Sequence, residues 1–289
     1  MSMRHLETEF RKQGKGNLAD IIASVHKLNG SDIPLPSVIS LVDKQVRSPK
    51  TPALRVSEIQ TFSGDQLILP ETALPQEVSA ILQRAEKAGI GVFEAHHLSD
   101  ITLTKDTNVE GWDKKPENWY WDQIKNGEVS PDAAKLPGSW VLIDKTPKPD
   151  YKDGKQLHEK DPFGPLLVKL REDKKIQSIK GMPDTSRFGI SHNELTQVVL
   201  PEIAKLLGVD ASQVRLPKEI EFNLIGNLKH PEWGNTNTWE WLNDKFEDDD
   251  RLFGGSSGSG GLARVDYRWS GNHDGNLAFR PLVVVSPKA

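Results

Sequence analysis

Apolar positions recur along this chain with two periods, and the longer one predicts helices. Over 17–28, Leu18, Ile21, Ile22, Val25 and Leu28 share one face, with Asn17 as N-cap and Gly30 just past the end. Over Gln76–Lys87, Val78, Ile81, Leu82 and Ala85 do the same, with Gly89 as the stop. A third stripe, Leu195, Val198, Val199, Ile203, Leu206 and Leu207, ends at Gly208 and starts at Ser191-His192-Asn193-Glu194. That tetrad is a capping box, in which Ser191 accepts from the Glu194 backbone N–H while the Glu194 carboxylate reaches back. Pro201 lies inside this helix and predicts a kink or a break. A shorter helix is expected over Lys218–Leu228, with Pro217 as its N1 residue.

The shorter period predicts strands. Ile90–Ala95 reads as a buried strand, and Ser139–Asp144 as another, opened by Pro137-Gly138 and closed by Pro147 and Pro149. Val38–Val42 and Gln66–Leu69 are short apolar segments in a stretch punctuated by Pro34, Pro36, Pro49, Pro52, Pro70 and Pro75. Val265, Tyr267 and Trp269 alternate with Asp266, Arg268 and Ser270, so one face of that strand is expected to pack inward. Periodicity leaves open whether Tyr267 packs with Val265 and Trp269 or tips outward. The order of elements predicts an α+β protein with a boundary just before Ser139: a mixed α/β accessory domain over 1–135 and a second domain over 136–289.

Composition narrows the function. The 289 residues include 23 glycines, 19 prolines and 8 tryptophans, a loop-rich, aromatic-pinned composition unlike that of a helical bundle. A net charge of −4, from 37 basic and 41 acidic residues, implies no general attraction to nucleic acid or anionic lipid. No run approaches the roughly 18–20 consecutive apolar residues of a membrane helix, and residues 1–16 have no apolar core of an export signal. The expectation is a chain not inserted in a membrane, and cytoplasmic unless carried to a cell or virion surface. The chain has no cysteine, which removes thiolate nucleophiles, Cys-ligated metals and disulfides together.

Candidate chemistry in the N-terminal half is sparse. His96 and His97 are adjacent, so they point to opposite faces of a strand, and the local spacing supplies no third metal ligand. The aromatic patch Trp112, Trp119, Tyr120 and Trp121 has no interleaved Lys and Arg, as a nucleic-acid platform would, and reads as a satellite core. Glu247-Asp248-Asp249-Asp250 lacks the ligand spacing and central glycine of an EF-hand loop and reads as a solvated turn.

Four further segments come in a specific order: Arg215-Leu216-Pro217-Lys218-Glu219-Ile220-Glu221-Phe222, Asn237-Thr238-Trp239-Glu240-Trp241, Arg251-Leu252-Phe253-Gly254-Gly255-Ser256, and Asn276-Leu277-Ala278-Phe279-Arg280-Pro281. Over about Ser139–Val285 this series resembles the C-type-lectin-like fold of the formylglycine-generating-enzyme superfamily. Members carry Arg-Leu-Pro-x-Glu-x-Glu-Trp, Asn-x-Trp-Glu-Trp, Arg-x-x-Arg-Gly-Gly-Ser and a terminal Gly-Phe-Arg in that order. The resemblance implies two helices, small twisted antiparallel sheets and long loops. The residues make physical sense in such a scaffold. Trp239 and Trp241, at i and i+2, face the same way in an extended segment, and Glu219 and Glu221 sit near a helix start, where carboxylates are favoured. Arg280, among apolar residues, is expected to pair with Glu221 or Glu240.

The catalytic branches of that superfamily lack their chemistry here. The oxidases resemble this chain in scaffold but bind copper through a cysteine pair, and the sulfoxide synthases use a three-histidine iron site with a His-x-x-x-His pair. The eight histidines of this chain show no such pair. The remaining branch, the variable proteins of diversity-generating retroelements, uses the fold to display a diversified ligand-binding segment rich in Asn, Asp, Ser, Gly, His and Tyr between fixed anchors. The segment between Gly255 and Phe279 reads that way. The resemblance implies a non-catalytic protein that binds a protein or glycan through Ser257, Ser259, Asp266, Tyr267, Ser270, Asn272, His273 and Asp274, with no cofactor and no metal. Tyr267 and His273 are expected as anchors and the others as polar contacts, following the logic of antibody paratopes. Two readings compete with it: an enzyme working from His96, His97 and Asp100, and an assembly protein whose glycine-rich segment is an oligomer contact.

Overall fold

The computed structural model describes residues 61–62, 67–69, 74–155, 158 and 160–285. The helix expected over 17–28 and the segment Val38–Val42 lie outside these residues. Eleven strands follow in chain order: β1 (Thr61–Phe62), β2 (Ile68–Leu69), β3 (Phe93–Leu98), β4 (Asn108–Val109), β5 (Trp140–Asp144), β6 (Val214–Arg215), β7 (Trp239–Phe246), β8 (Asp250–Gly254), β9 (Val265–Trp269), β10 (Leu277–Ala278) and β11 (Leu282–Val285). The main helices are α1 (Gln76–Lys87), α2 (Asn118–Asn126), α3 (Gly164–Glu172), α4 (Leu200–Leu207) and α5 (Glu219–Lys229). The architecture is mixed α+β, as expected. Among the described residues no helix is long and apolar enough to cross a membrane.

The larger sheet is antiparallel throughout, in the order β2-β3-β5-β11-β6. Its central pairing joins β5 to β11, with Ile143 opposite Leu282 and Trp140 opposite Val285. Alternation then sorts the side chains by face. Phe93, Ala95, Leu142, Val283 and Val285 meet α1, α3 and α4 in one core, while Leu98, Val141, Ile143 and Leu282 meet α5 and the aromatic residues Trp112, Tyr120 and Trp121 in the other. The sheet crosses the boundary expected at 135/136, since β3 on one side pairs with β5 on the other over five residues. Residues 61–135 are therefore built into one compact unit with the rest of 61–289. Local composition shifts do not report such a pairing, because its partners are more than 40 residues apart in sequence.

The smaller sheet has the order β10-β7-β8-β9, with β9 at its edge. Trp239 and Trp241 share a face of β7 and both rings meet Phe253 edge-on, at 4.9 and 6.1 Å. The acidic residues 247–249 form the exposed turn between β7 and β8.

Helix ends follow the sequence closely. α1 has the expected bounds. The Ser191 capping box forms, with the Glu194 N–H donating to Ser191 Oγ at 3.2 Å and the Ser191 N–H donating to Glu194 Oε2 at 3.0 Å. Pro201 does disturb its helix. The segment Leu195–Val199 is a π turn, and a regular α4 resumes at Leu200 and ends at Gly208 in the left-handed region. Pro217 lies one residue before the N-cap of α5 rather than at N1, because Lys218 caps it and Glu221 reaches back to the Lys218 N–H at 2.8 Å.

Ion pairs fasten the larger sheet to α5 and to the segment that follows α3. The Arg215 guanidinium donates to both Glu221 oxygens at 2.6 Å, and Arg187 pairs with Asp144 and Asp161. Lys148 is buried, and its ammonium donates to the carbonyls of Thr238 at 2.7 Å and Gly255 at 2.8 Å. Burial pulls the Lys148 pKa down to about 8. This amine supports the loop that leaves β8.

Candidate functional site

The segment between Gly255 and Phe279 starts from a tight approach. Gly255 has φ of +93°, and a Cβ there would lie 2.9 Å from the Phe222 ring and 3.0 Å from Lys148 Nζ. Only glycine fits both the backbone and the space. The chain then makes a short helical turn, Ser257–Ser259, whose residues are exposed, with the Ser257 N–H donating to the Thr236 carbonyl at 2.8 Å.

From there the chain enters β9, which among the described residues pairs only with β8. Its first residue, Val265, is buried, whereas Tyr267 and Trp269 on the same face are 43% and 59% exposed. The expectation that this face of the strand packs inward is thus corrected at Trp269. The fully buried stripe stops after Val265, and the same face continues as the exposed Tyr267 and Trp269. Tyr267 does tip outward, but it is not loose: its ring stacks on Trp119 at 5.8 Å with 12° between planes and leans on Phe246 at 4.3 Å. Trp119 is therefore half-buried beside the strand, while its neighbours Trp112, Tyr120 and Trp121 are core.

The other face of β9 is charged and internally paired. Arg264 donates to Glu117 at 3.0 Å and to Asp266 at 2.8 Å, and the Glu117 carboxylate also accepts the Val265 N–H at 3.1 Å. Arg268 lies over the Phe253 ring at 5.5 Å and pairs with Asp274. Asp266 and Asp274 thus already have cationic partners, although both remain partly accessible.

The turn after β9 packs against the capped helix. Ser270 is buried; its N–H donates to the Asp249 carbonyl at 2.9 Å and its carbonyl accepts the Asn193 N–H at 3.1 Å. Ser270 is a joint of the scaffold, which corrects its expected role as a polar contact. His273 is also engaged, with Nε2 2.8 Å from Glu194 Oε2, the same oxygen that completes the capping box. It bridges the turn to the helix start rather than standing free as an anchor. Asn272 is half-buried, and its N–H closes the turn on the Trp269 carbonyl at 3.0 Å.

The eight expected residues therefore fall into three neighbourhoods: Ser257 and Ser259 beside Thr236, Asp266 and Tyr267 beside Glu117 and Trp119, and Ser270, Asn272, His273 and Asp274 beside the capping box. Two residues outside those eight, the exposed Trp269 and the flanking Trp119, escaped the sequence. The period-2 spacing of Trp269 from Tyr267 was a legible signal for the first; the second comes from a contact across nearly 150 residues.

A second cluster lies on β3. Glu94 and His96 leave one face of that strand, and His230 arrives from the end of α5, placing both imidazole Nε2 atoms next to Glu94 Oε1. Burial would raise the Glu94 pKa, but the hydrogen bonds and charges of His230 and His96 outweigh it and hold the carboxyl at about 2. This convergence corrects the expectation that His96 lacks a third partner for metal binding, since the spacing counted only nearby residues. His97 points the other way and meets Trp140 edge-on at 5.4 Å. No protein-family model, curated protein or solved structure matches this chain.

Proposed function

We propose that this protein is a non-catalytic ligand-binding protein that presents β9 and its flanking turns as a recognition surface on a C-type-lectin-like scaffold, in the manner of the variable proteins of diversity-generating retroelements. The observation that carries the proposal is the outward placement of Tyr267 and Trp269 side by side on an edge strand, in a unit that otherwise buries nearly all its large apolar side chains. Two exposed aromatics with few rotatable bonds, in a segment that also carries Ser257, Ser259, Asp266, Asn272 and Asp274, have the composition of a paratope.

Several features support the lectin-like reading. The strand that opens the segment, β5, pairs antiparallel with the strand that closes it, β11. Three helices, α3, α4 and α5, intervene where the resemblance implies two, and the motif residues Trp241, Glu240 and Arg280 are buried, with Trp239 partly buried beside them. The binding region sits on that support, which a surface meant to tolerate replacement requires: its polar contacts can change while the anchors beneath hold. The absence of cysteine removes the copper pair that the oxidase branch needs.

The test is to sequence the codons for residues 235–289, with the DNA just downstream, across a population of the source organism. Changes concentrated at 257, 259, 266, 267, 269, 272 and 274, with a near-identical template copy nearby, are expected. Uniform codons without a template would remove the diversified-display reading. In parallel, a Trp269→Ala variant should lose binding on a glycan or displayed-peptide array while keeping its melting temperature.

A further inference from the structure

Because side chains alternate along a strand, Glu94 and His96 project from one face of β3. His230 reaches them from the C-terminal end of α5, 136 residues away from Glu94 in sequence. The His96 Nε2 lies 2.6 Å and the His230 Nε2 2.5 Å from one oxygen, Glu94 Oε1, and one potential ligand atom from each residue lies within 4.8 Å of the others. The side chains of His96, His230 and Glu94 are 9%, 14% and 19% exposed, so the cluster is shielded but opens to solvent.

His230 is positioned beyond this contact. Its Nδ1 is 3.0 Å from Glu232 Oε1, and its ring lies flat on Trp233 at 4.5 Å with 6° between planes. Trp233 in turn stacks with Phe222 and meets the buried Arg280. A carboxylate on Nδ1 fixes the ring orientation, so that once an ion displaces the Nε2 proton the Nε2 lone pair is aimed at the cluster, which is the outer-shell arrangement that orients metal-binding histidines. A surface ion pair needs none of this.

We propose that Glu94, His96 and His230 bind a divalent transition-metal ion of the zinc class through one carboxylate oxygen and two Nε2 atoms, with water completing the coordination. Two imidazoles and a carboxylate suit Zn(II) and its first-row neighbours, whereas Ca(II) and Mg(II) demand oxygen ligands throughout. With bonds of about 2.0–2.1 Å, tetrahedral ligand atoms stand roughly 3.3 Å apart. Glu94 and the two rings must therefore separate by on the order of 1 Å, and the ion takes the place of the Nε2 protons now shared with Glu94. The ion would clip β3 to the end of α5, so its binding stabilises the fold by mass action. The site uses no residue of the β9 surface and stands apart from the function proposed for it.

The experiment uses the full-length chain, stripped with a chelator and then dialysed against Zn(II), with bound metal measured by elemental analysis and calorimetry. The expected result is about one equivalent of zinc that is lost in a His96→Ala, His230→Ala double variant and retained in His273→Ala, which removes a histidine outside the cluster. Zn(II), but not Ca(II), should raise the melting temperature of the unaltered protein. Glu232→Gln should keep the stoichiometry and weaken binding by roughly 10- to 100-fold, a change that a purely structural ion pair would not produce. Co(II) loaded in place of zinc should show a visible absorption spectrum that Glu94→Gln alters. Zinc stoichiometry unchanged in the double variant, or no zinc-dependent change in the melting temperature of the unaltered protein, would overturn the proposal. If the double variant does not fold, an affinity unmoved by Glu232→Gln together with a cobalt spectrum unmoved by Glu94→Gln overturns it equally.

Discussion

Arg280 and Glu240 are both fully buried and joined by two parallel hydrogen bonds, Nε to Oε2 at 3.0 Å and Nη2 to Oε1 at 2.9 Å. The same guanidinium lies 3.8 Å over the Trp233 ring and donates to the carbonyls of Asp144 and Thr146. One side chain thus ties β7, the end of β5 and the start of α5's following turn to the segment that enters β11. Removing either partner leaves an uncompensated charge in the core. Arg280→Ala or Glu240→Ala should each lower unfolding free energy by about 3–5 kcal/mol in urea titrations. Arg280→Lys should be nearly as harmful, because an ammonium cannot make the paired contact. Wild-type stability in either alanine variant would remove this pair from the scaffold.

Within the 257–274 segment, stability and exposure should separate. Trp269→Ala is expected to change unfolding free energy by no more than about 0.5 kcal/mol, as at other exposed positions. Ser270→Leu, which replaces a hydroxyl by a larger branched apolar group at a buried joint, should cost about 1–3 kcal/mol. Thermal melts of the two variants decide this, and equal losses would place Trp269 in the core.

Gly255→Ala should destabilise by about 1–3 kcal/mol, since it combines a left-handed backbone with a Cβ driven into Phe222. Gly258, exposed and with an open surrounding, is the control; its alanine variant should melt close to the unaltered protein.

Stability should fall as pH rises from about 4 to about 7 through Asp244. Burial, reinforced by the nearby Glu221 charge, pushes the Asp244 carboxyl up to about 7, although it accepts the Glu219 N–H at 2.6 Å. Glu219 beside it is also raised, by burial first and by the Asp244 charge second. The Asn223 amide, which also donates to the carbonyls of Lys114 and Leu262, opposes this rise with the smallest of these effects and does not reverse it. The native state therefore holds a proton that the unfolded chain releases near its ordinary carboxyl value, so unfolding becomes easier as that proton is lost and levels off above about 7. Urea midpoints at pH 5 and pH 8 should show the drop, and Asp244→Asn, which can still accept the Glu219 N–H, should flatten it. A midpoint higher at pH 8 would refute the assignment.

The elements whose contacts are local were legible in advance. α1, the Ser191 capping box, the break before α4 and the strand at β5 all follow from spacing within a dozen residues, where periodicity and capping chemistry act directly. The pairing of Arg280 with Glu240 was narrowed to two carboxylates because a buried guanidinium needs one, and the choice between them waited for the register of β7.

What the amino-acid order alone determined is the alternation of faces, the helix ends, the α+β class and the polar character of residues 257–274. Tertiary structure decided the rest. It joined β3 to β5 and so dissolved the boundary at 135/136, turned Trp269 outward with Tyr267, engaged Ser270 and His273 in the scaffold, and carried His230 to Glu94 and His96. The physical reason is common to all four: each depends on which distant segment covers a given face, and a period of two or 3.6 residues says that a face exists without saying what will meet it.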